Sequence, residues 1–178
     1  MMEPISFEDA EIEKYEKPWA LTGTNCERKH NIVNSLYLQP DKLEAKNFER
    51  FERYKLVEEN EPMWEEYMME DAEICVVAFG IASRVAKNAI VAARAEGIKV
   101  GLIRPITLWP FPTKALKAAA DQCKSFISVE LNMGQMIEDV RLATECTKPV
   151  TLCSRCGGMI PSPDEVLASI RNAEKGVY

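Results

Sequence analysis

The chain has 178 residues, 47% hydrophobic and 28% charged, an ordinary balance for a globular protein with a buried core. Its net charge of −6 is unevenly spread: residues 1–71 carry 18 acidic and 9 basic side chains, residues 72–178 carry 10 and 13. The mildly basic part has no clustered Lys/Arg stripe, which argues against nucleic acid as a partner. No run approaches 18 apolar residues and no signal peptide opens the chain, so no membrane partner and a cytoplasmic location are expected.

The first 71 residues look like a connector arm. Glu3–Glu16 is acidic and weakly patterned, and Trp19–Gly23 and Ile32–Leu38 look extended. Asp41–Val57 places Leu43, Phe48, Phe51, Tyr54 and Val57 at mostly helical intervals among many charges. Asn60 and Pro62 are expected to break that helix, and Met63–Met69 to start another with Trp64, Tyr67 and Met68 as its apolar face. A helix with that many aromatics must bury them against something.

Residues 72–178 repeat one unit four times: a short apolar run, a turn, then a helical pattern. Glu73–Phe79 is the first strand, and its helix runs from Arg84 to Glu96 with Ser83 as cap and Gly97 as stop. Ile98–Ile103 is the second strand. A proline-stiffened loop, Arg104–Pro112, then leads to a helix capped by Thr113. Ser125–Glu130 is the third strand. The stretch after it, Glu-Leu-Asn-Met-Gly-Gln-Met, turns into a helix carrying Met136, Val140 and Ala143 on one face. Pro149–Cys153 is the fourth strand. Ser162-Pro163-Asp164-Glu165 then opens the last helix, with Ser as cap, Pro at the first position and Glu placed to complete a capping box. Strand–helix repetition of this kind implies an α/β fold, a mostly parallel sheet in three layers with helices on both faces.

Candidate chemistry is sparse. Gly80-Ile-Ala-Ser83 has one glycine and no Lys-Ser/Thr, too little for a phosphate-cradling loop, and reads as a tight capped turn. Cys153-Ser-Arg-Cys156 has thioredoxin-like spacing, but the helix does not begin until Pro163, so the thiols lack the helix terminus that would activate them. Six cysteines with no signal peptide suggest reduced thiols, and a single histidine makes a His/Cys zinc site improbable. The turn Glu130, Asn132, Gly134, Gln135 has two readings. Asn132 and Gln135 can form a variant capping box, or Glu130 and the free amides can meet a cofactor or substrate at the carboxyl edge of the sheet. No catalytic residue and no metal ligand set is assigned.

Three loops, LIRPITLWPFP (Leu102–Pro112), VELNMGQMIEDV (Val129–Val140) and RCGGMIPSP (Arg155–Pro163), occur in this order, each after a strand. Together they resemble the second, transketolase C-terminal-like domain of the α subunit of 2-oxoacid:ferredoxin oxidoreductases, most of all the 2-oxoisovalerate (3-methyl-2-oxobutanoate) type. The stretch from Trp19 to Leu38 and the charged helix after it resemble the segment joining that subunit's first domain to its second. The resemblance implies an enzyme that decarboxylates a 2-oxo acid on thiamin diphosphate with Mg, passes electrons through iron–sulfur clusters to ferredoxin and forms an acyl-CoA. It also implies that these cofactors and the catalytic residues lie on a missing thiamin-pyrimidine domain and on other subunits, and that this chain is a truncated or split-gene piece, inactive alone. The acidic arm and the Asn132–Gln135 turn are then expected to pack on those partners, with Trp19, Phe48, Phe51 and Trp64 forming a patch that self-associates in isolation. The alternative is an independent flavodoxin-like or nucleotide-binding module. A thiol oxidoreductase is the third reading.

Overall fold

A computed structural model describes residues 14–32 and 34–178. The chain divides into two compact units, Met1–Asn47 and Phe48–Tyr178. In the first, the described residues up to the helix start form turns and irregular loop, so the extended pieces read at 19–23 and 32–38 are not strands there. Local side-chain bonds hold these turns: the Arg28 guanidinium donates to the Gly23 carbonyl at 3.0 Å, and the Asn31 amide to the Pro18 carbonyl at 3.0 Å. Most of the acidic stretch Glu3–Glu16 lies outside the described residues.

Helix α1 (Pro40–Asn60) matches the pattern read over 41–57, but it buries none of its residues. Phe48 and Phe51 remain 68% and 61% exposed. In the second unit a five-stranded sheet is built from β1 (Trp64–Tyr67), β2 (Ile74–Ala78), β3 (Val100–Pro105), β4 (Ser125–Glu130) and β5 (Val150–Ser154), in the order β1-β3-β2-β4-β5. β2, β3, β4 and β5 are parallel, and β1 is antiparallel to β3, pairing Trp64 with Pro105 and Tyr67 with Leu102. The helix expected from Met63 is therefore a strand. Its side chains alternate between exposed and half-buried, and an antiparallel partner supplies the backbone hydrogen bonds that four residues could not make as a stable helix.

β2 is buried at every position and serves both faces. Ile74, Val76 and Ala78 pack with Ala86, Ile90 and Ala93 of α2 (Gly80–Ala95) and Val166 and Ile170 of α5 (Pro163–Glu174). Cys75 and Val77 pack on the other side with Leu116 of α3 (Thr113–Gln122), Val140 of α4 (Met136–Ala143) and Phe126. Each fully buried aliphatic side chain contributes about 1.5–3 kcal/mol. No helix of the described residues is long and apolar enough to cross a membrane.

The starts of α2 and α3 differ from the sequence reading. α2 begins at Gly80, whose φ of +57° lets the chain turn directly off β2. Ser83 thus lies inside the helix, buried, its hydroxyl donating to the Gly80 carbonyl at 2.7 Å. Thr113 is the first helical residue of α3 and makes no side-chain cap. The last helix starts as read: Ser162 accepts from the Glu165 amide at 3.2 Å, the Glu165 carboxylate accepts from the Ser162 amide at 2.8 Å, and Pro163 occupies the first turn.

The link from β1 to β2 is pinned from two helices. Arg94 of α2 donates to the Met68 carbonyl and to Asp71, each at 2.7 Å, and Gln122 of α3 donates to the Met69 and Ala72 carbonyls at 2.8 Å. This link passes so close to β3 that a Cβ on Gly101 would stand 2.5 Å from the Met68 carbonyl oxygen and 2.6 Å from the Met69 sulfur. Gly101→Ala is expected to cost about 1–3 kcal/mol through this overpacking, read as a lower urea midpoint with an unchanged slope.

Candidate functional site

Parallel strands bring the turns after β2, β3, β4 and β5 to one edge of the sheet, together with Trp64 at the start of antiparallel β1. The crossover from β2 to β3 runs over one face and the return to β4 over the other, so the topological switch lies between the carboxyl ends of β2 and β4. The Glu130–Gln135 turn stands at that switch.

Strand alternation turns Phe126, Ser128 and Glu130 toward the α4 face. Glu130 is 1% exposed, and its carboxylate is fully engaged. Oε2 accepts from the amides of Gln135 and Met136, and Oε1 from the amide of Ile137, all at 2.9 Å; the Ser128 hydroxyl donates to Oε1 at 2.8 Å. Three amides that the start of α4 would leave without partners therefore converge on one strand residue, where the helix dipole also favours negative charge. The capping box read for Asn132 and Gln135 does not form. α4 starts at Met136, Gln135 makes no side-chain cap, and Asn132 instead accepts from the Gly134 amide at 2.7 Å inside the turn. The physical reason is reach: Glu130 delivers two oxygens from the sheet to the helix end, which a side chain within the turn cannot match. Gly134, at φ +103°, lies close to Leu152 and Ile137, where a side chain would crowd both.

Burial pushes the Glu130 carboxyl up, but the bonds from Gln135, Ser128, Met136 and Ile137 outweigh it and hold it below the ordinary value of 4.5. All four donors to it, three backbone amides and one hydroxyl, come from this chain. Glu130 is a positioning group for the turn. The apolar side chains around it point outward: Met133 is 79% exposed, Trp109 55%, and Ile81, Leu131, Met159 and Ile160 also face solvent.

Of the Cys153/Cys156 pair, Cys153 is buried, and burial pushes its thiol up, away from the reactive thiolate, while Cys156 is exposed. Among the described residues no three His, Cys, Asp or Glu side chains gather in a group that could hold a metal ion.

Glu130→Gln tests the cap. Whichever way the amide turns, its NH₂ faces at least one buried backbone N–H, and the expected loss is about 1–3 kcal/mol. Because the folded pKa is lowered, the carboxylate's contribution is complete above the ordinary value of 4.5 and is lost as pH falls through the folded value. The stability gap between the protein and Glu130→Gln should therefore narrow on acidification below that range, measured by urea denaturation from pH 7 to pH 3.

Comparison with known proteins agrees with this architecture. Ketoisovalerate oxidoreductase subunit VorB of Methanothermobacter marburgensis is 48% identical over 172 residues, 96% of this chain and 48% of that protein. The chain spans about half the length of the curated relatives it matches most strongly. Among solved structures, 2-oxoglutarate:ferredoxin oxidoreductase from Magnetococcus marinus, with 2-oxoglutarate, coenzyme A and succinyl-CoA bound, superposes with a TM-score of 0.65 at 25% identity. That match covers 76% of this chain and 24% of that one. A split-gene transketolase, an inactive β4 tetramer, shares the fold at a TM-score of 0.56 and 19% identity, over 64% of this chain and 41% of that one. Residues 72–166 match the family model of the pyruvate:ferredoxin oxidoreductase core domain II, and the chain belongs to that family.

Proposed function

We propose that this chain is the C-terminal part of the α subunit of a thiamin-diphosphate-dependent 2-oxoacid:ferredoxin oxidoreductase of the 2-oxoisovalerate type. The observation that carries the reading is the extent of the VorB likeness, which takes in the arm as well as the α/β domain. In this reading residues 72–178 act as the transketolase C-terminal-like domain and residues 1–71 as the connector to the thiamin-pyrimidine domain. The assembly oxidises and decarboxylates a branched 2-oxo acid, transfers the acyl group to CoA and delivers the electrons through iron–sulfur clusters to ferredoxin. Thiamin diphosphate, Mg and the clusters are held by the partner polypeptides. This chain contributes scaffold and interface.

The carboxyl edge supports that role. Its Glu130, Asn132, Gly134, Gln135 turn is braced from behind by the buried carboxylate, and it presents Met133 to a neighbour. A rigid, apolar, charge-depleted surface of this kind suits burial against protein. Trp19 in the first unit and Phe48, Phe51 and Trp64 in the second are exposed, and in this reading such apolar side chains make the isolated chain self-associate.

Two measurements test this. The purified chain should show no 2-oxoisovalerate- and CoA-dependent ferredoxin reduction, and mixing it with the polypeptides that supply the thiamin-pyrimidine domain and clusters should restore it; turnover by the chain alone would overturn the reading. Sedimentation velocity of the isolated chain should show mass rising with concentration, reversed when those polypeptides are added. A monomer throughout, with no affinity for them, would remove the interface role.

A further inference from the structure

A groove of about 650 Å³ opens where the last turn of α1 approaches the loop leading into α3. Its apolar lining is Trp64, Trp109, Phe111 and three prolines, and its charged residues are Glu58, Glu59 and Lys114. The framework is ordered by contact: Tyr54 of α1 packs edge-on to Trp109, with ring centroids 5.3 Å apart. Met63 and Thr107 bond across the base, the Met63 amide donating to the Thr107 hydroxyl at 2.9 Å. A volume of this size lies in the range of preformed binding sites and holds several side chains.

Two features select the occupant. Several carboxylates elsewhere on this unit are answered: Glu65, Asp71, Glu73, Glu96, Glu145 and Glu165 each hold a Lys or Arg. Glu58 and Glu59, both exposed at the groove, make no ion pair or hydrogen bond among the described residues. Beside them stand the two indoles, whose ring faces attract cations. The unit already uses that chemistry, with the Lys87 ammonium 5.2 Å from the Tyr67 ring centre. Like charge makes the acidic N-terminal sequence, within a segment carrying 18 acidic and 9 basic groups, a poor match for these carboxylates. A second copy with its twofold axis through the groove would bring the same carboxylates onto themselves.

We propose that the groove seats a basic, extended segment of another polypeptide in the assembly, with a Lys or Arg side chain placed between the Glu58/Glu59 carboxylates and the Trp64/Trp109 rings. The inference rests on the reading that this chain works within a multi-subunit oxidoreductase, and it names the chemistry of one partner contact.

The test uses Glu58→Lys/Glu59→Lys in the full chain. Both positions are exposed near the carboxyl end of α1, where positive charge suits the helix dipole, so the fold should be retained and is checked by thermal melting. The control, Glu70→Lys/Asp121→Lys, makes the same change in net charge at exposed carboxylates outside the groove. Affinity for the purified companion polypeptides is measured at several salt concentrations. The expected result is binding weakened by about tenfold or more in the groove variant, with a shallower salt dependence, and a control that binds like the unaltered chain. Equal binding by the two double variants would overturn the proposal while leaving the subunit role intact. Failure of the unaltered chain to bind at all would overturn both.

Discussion

Helix α4 begins on amides that its own turn does not satisfy, and the molecule answers with a carboxylate reached across from the sheet. Glu130 closes β4, is almost wholly buried, and binds the first three available amides of α4 while Ser128 steadies it from the same strand. A buried charge is tolerated when every lone pair is engaged, and here the compensation comes from donors that would otherwise be unsatisfied in the same place. The strand and the helix thereby acquire a fixed relation at the switch point of the sheet. The outward direction of the Leu131–Gly134 turn follows from that constraint.

The same arrangement gives the carboxylate at this edge a structural task. A carboxylate at the crevice of a parallel sheet invites assignment as an acid, a base or a ligand. Four donors and a lowered pKa make it an anchor instead. Leu131 and Met133 are exposed on the turn itself, and the groove between α1 and the loop before α3 sets Glu58 and Glu59 beside Trp64 and Trp109.

Much of the fold was legible because its signals are local. The apolar run around Ile74–Ala78, buried on both faces, announces a central parallel strand, and Ser162 to Glu165 spells out a helix start that forms atom for atom. What escaped was set by distant partners. Residues 64–67 fit a helical face as well as a strand, and only β3, some forty residues on in sequence, decides between them. Ser83 resembles a cap because the sequence does not reveal that Gly80 turns the chain three residues earlier. At the candidate turn the right residues were visible, but the bonding was assigned to Asn132 and Gln135; the alternation of Ser128 and Glu130 along a buried strand was the available sign that the strand itself does the capping.

The join between α1 and β1 is short. Only the three residues 61–63 separate the end of the helix from Trp64, a span of no more than about 10 Å. β1 lies antiparallel to β3, and its exit is clamped by Arg94 and Gln122. Displacement of the end of α1 therefore has only these three residues to absorb it before it reaches the β1–β3 hydrogen bonds.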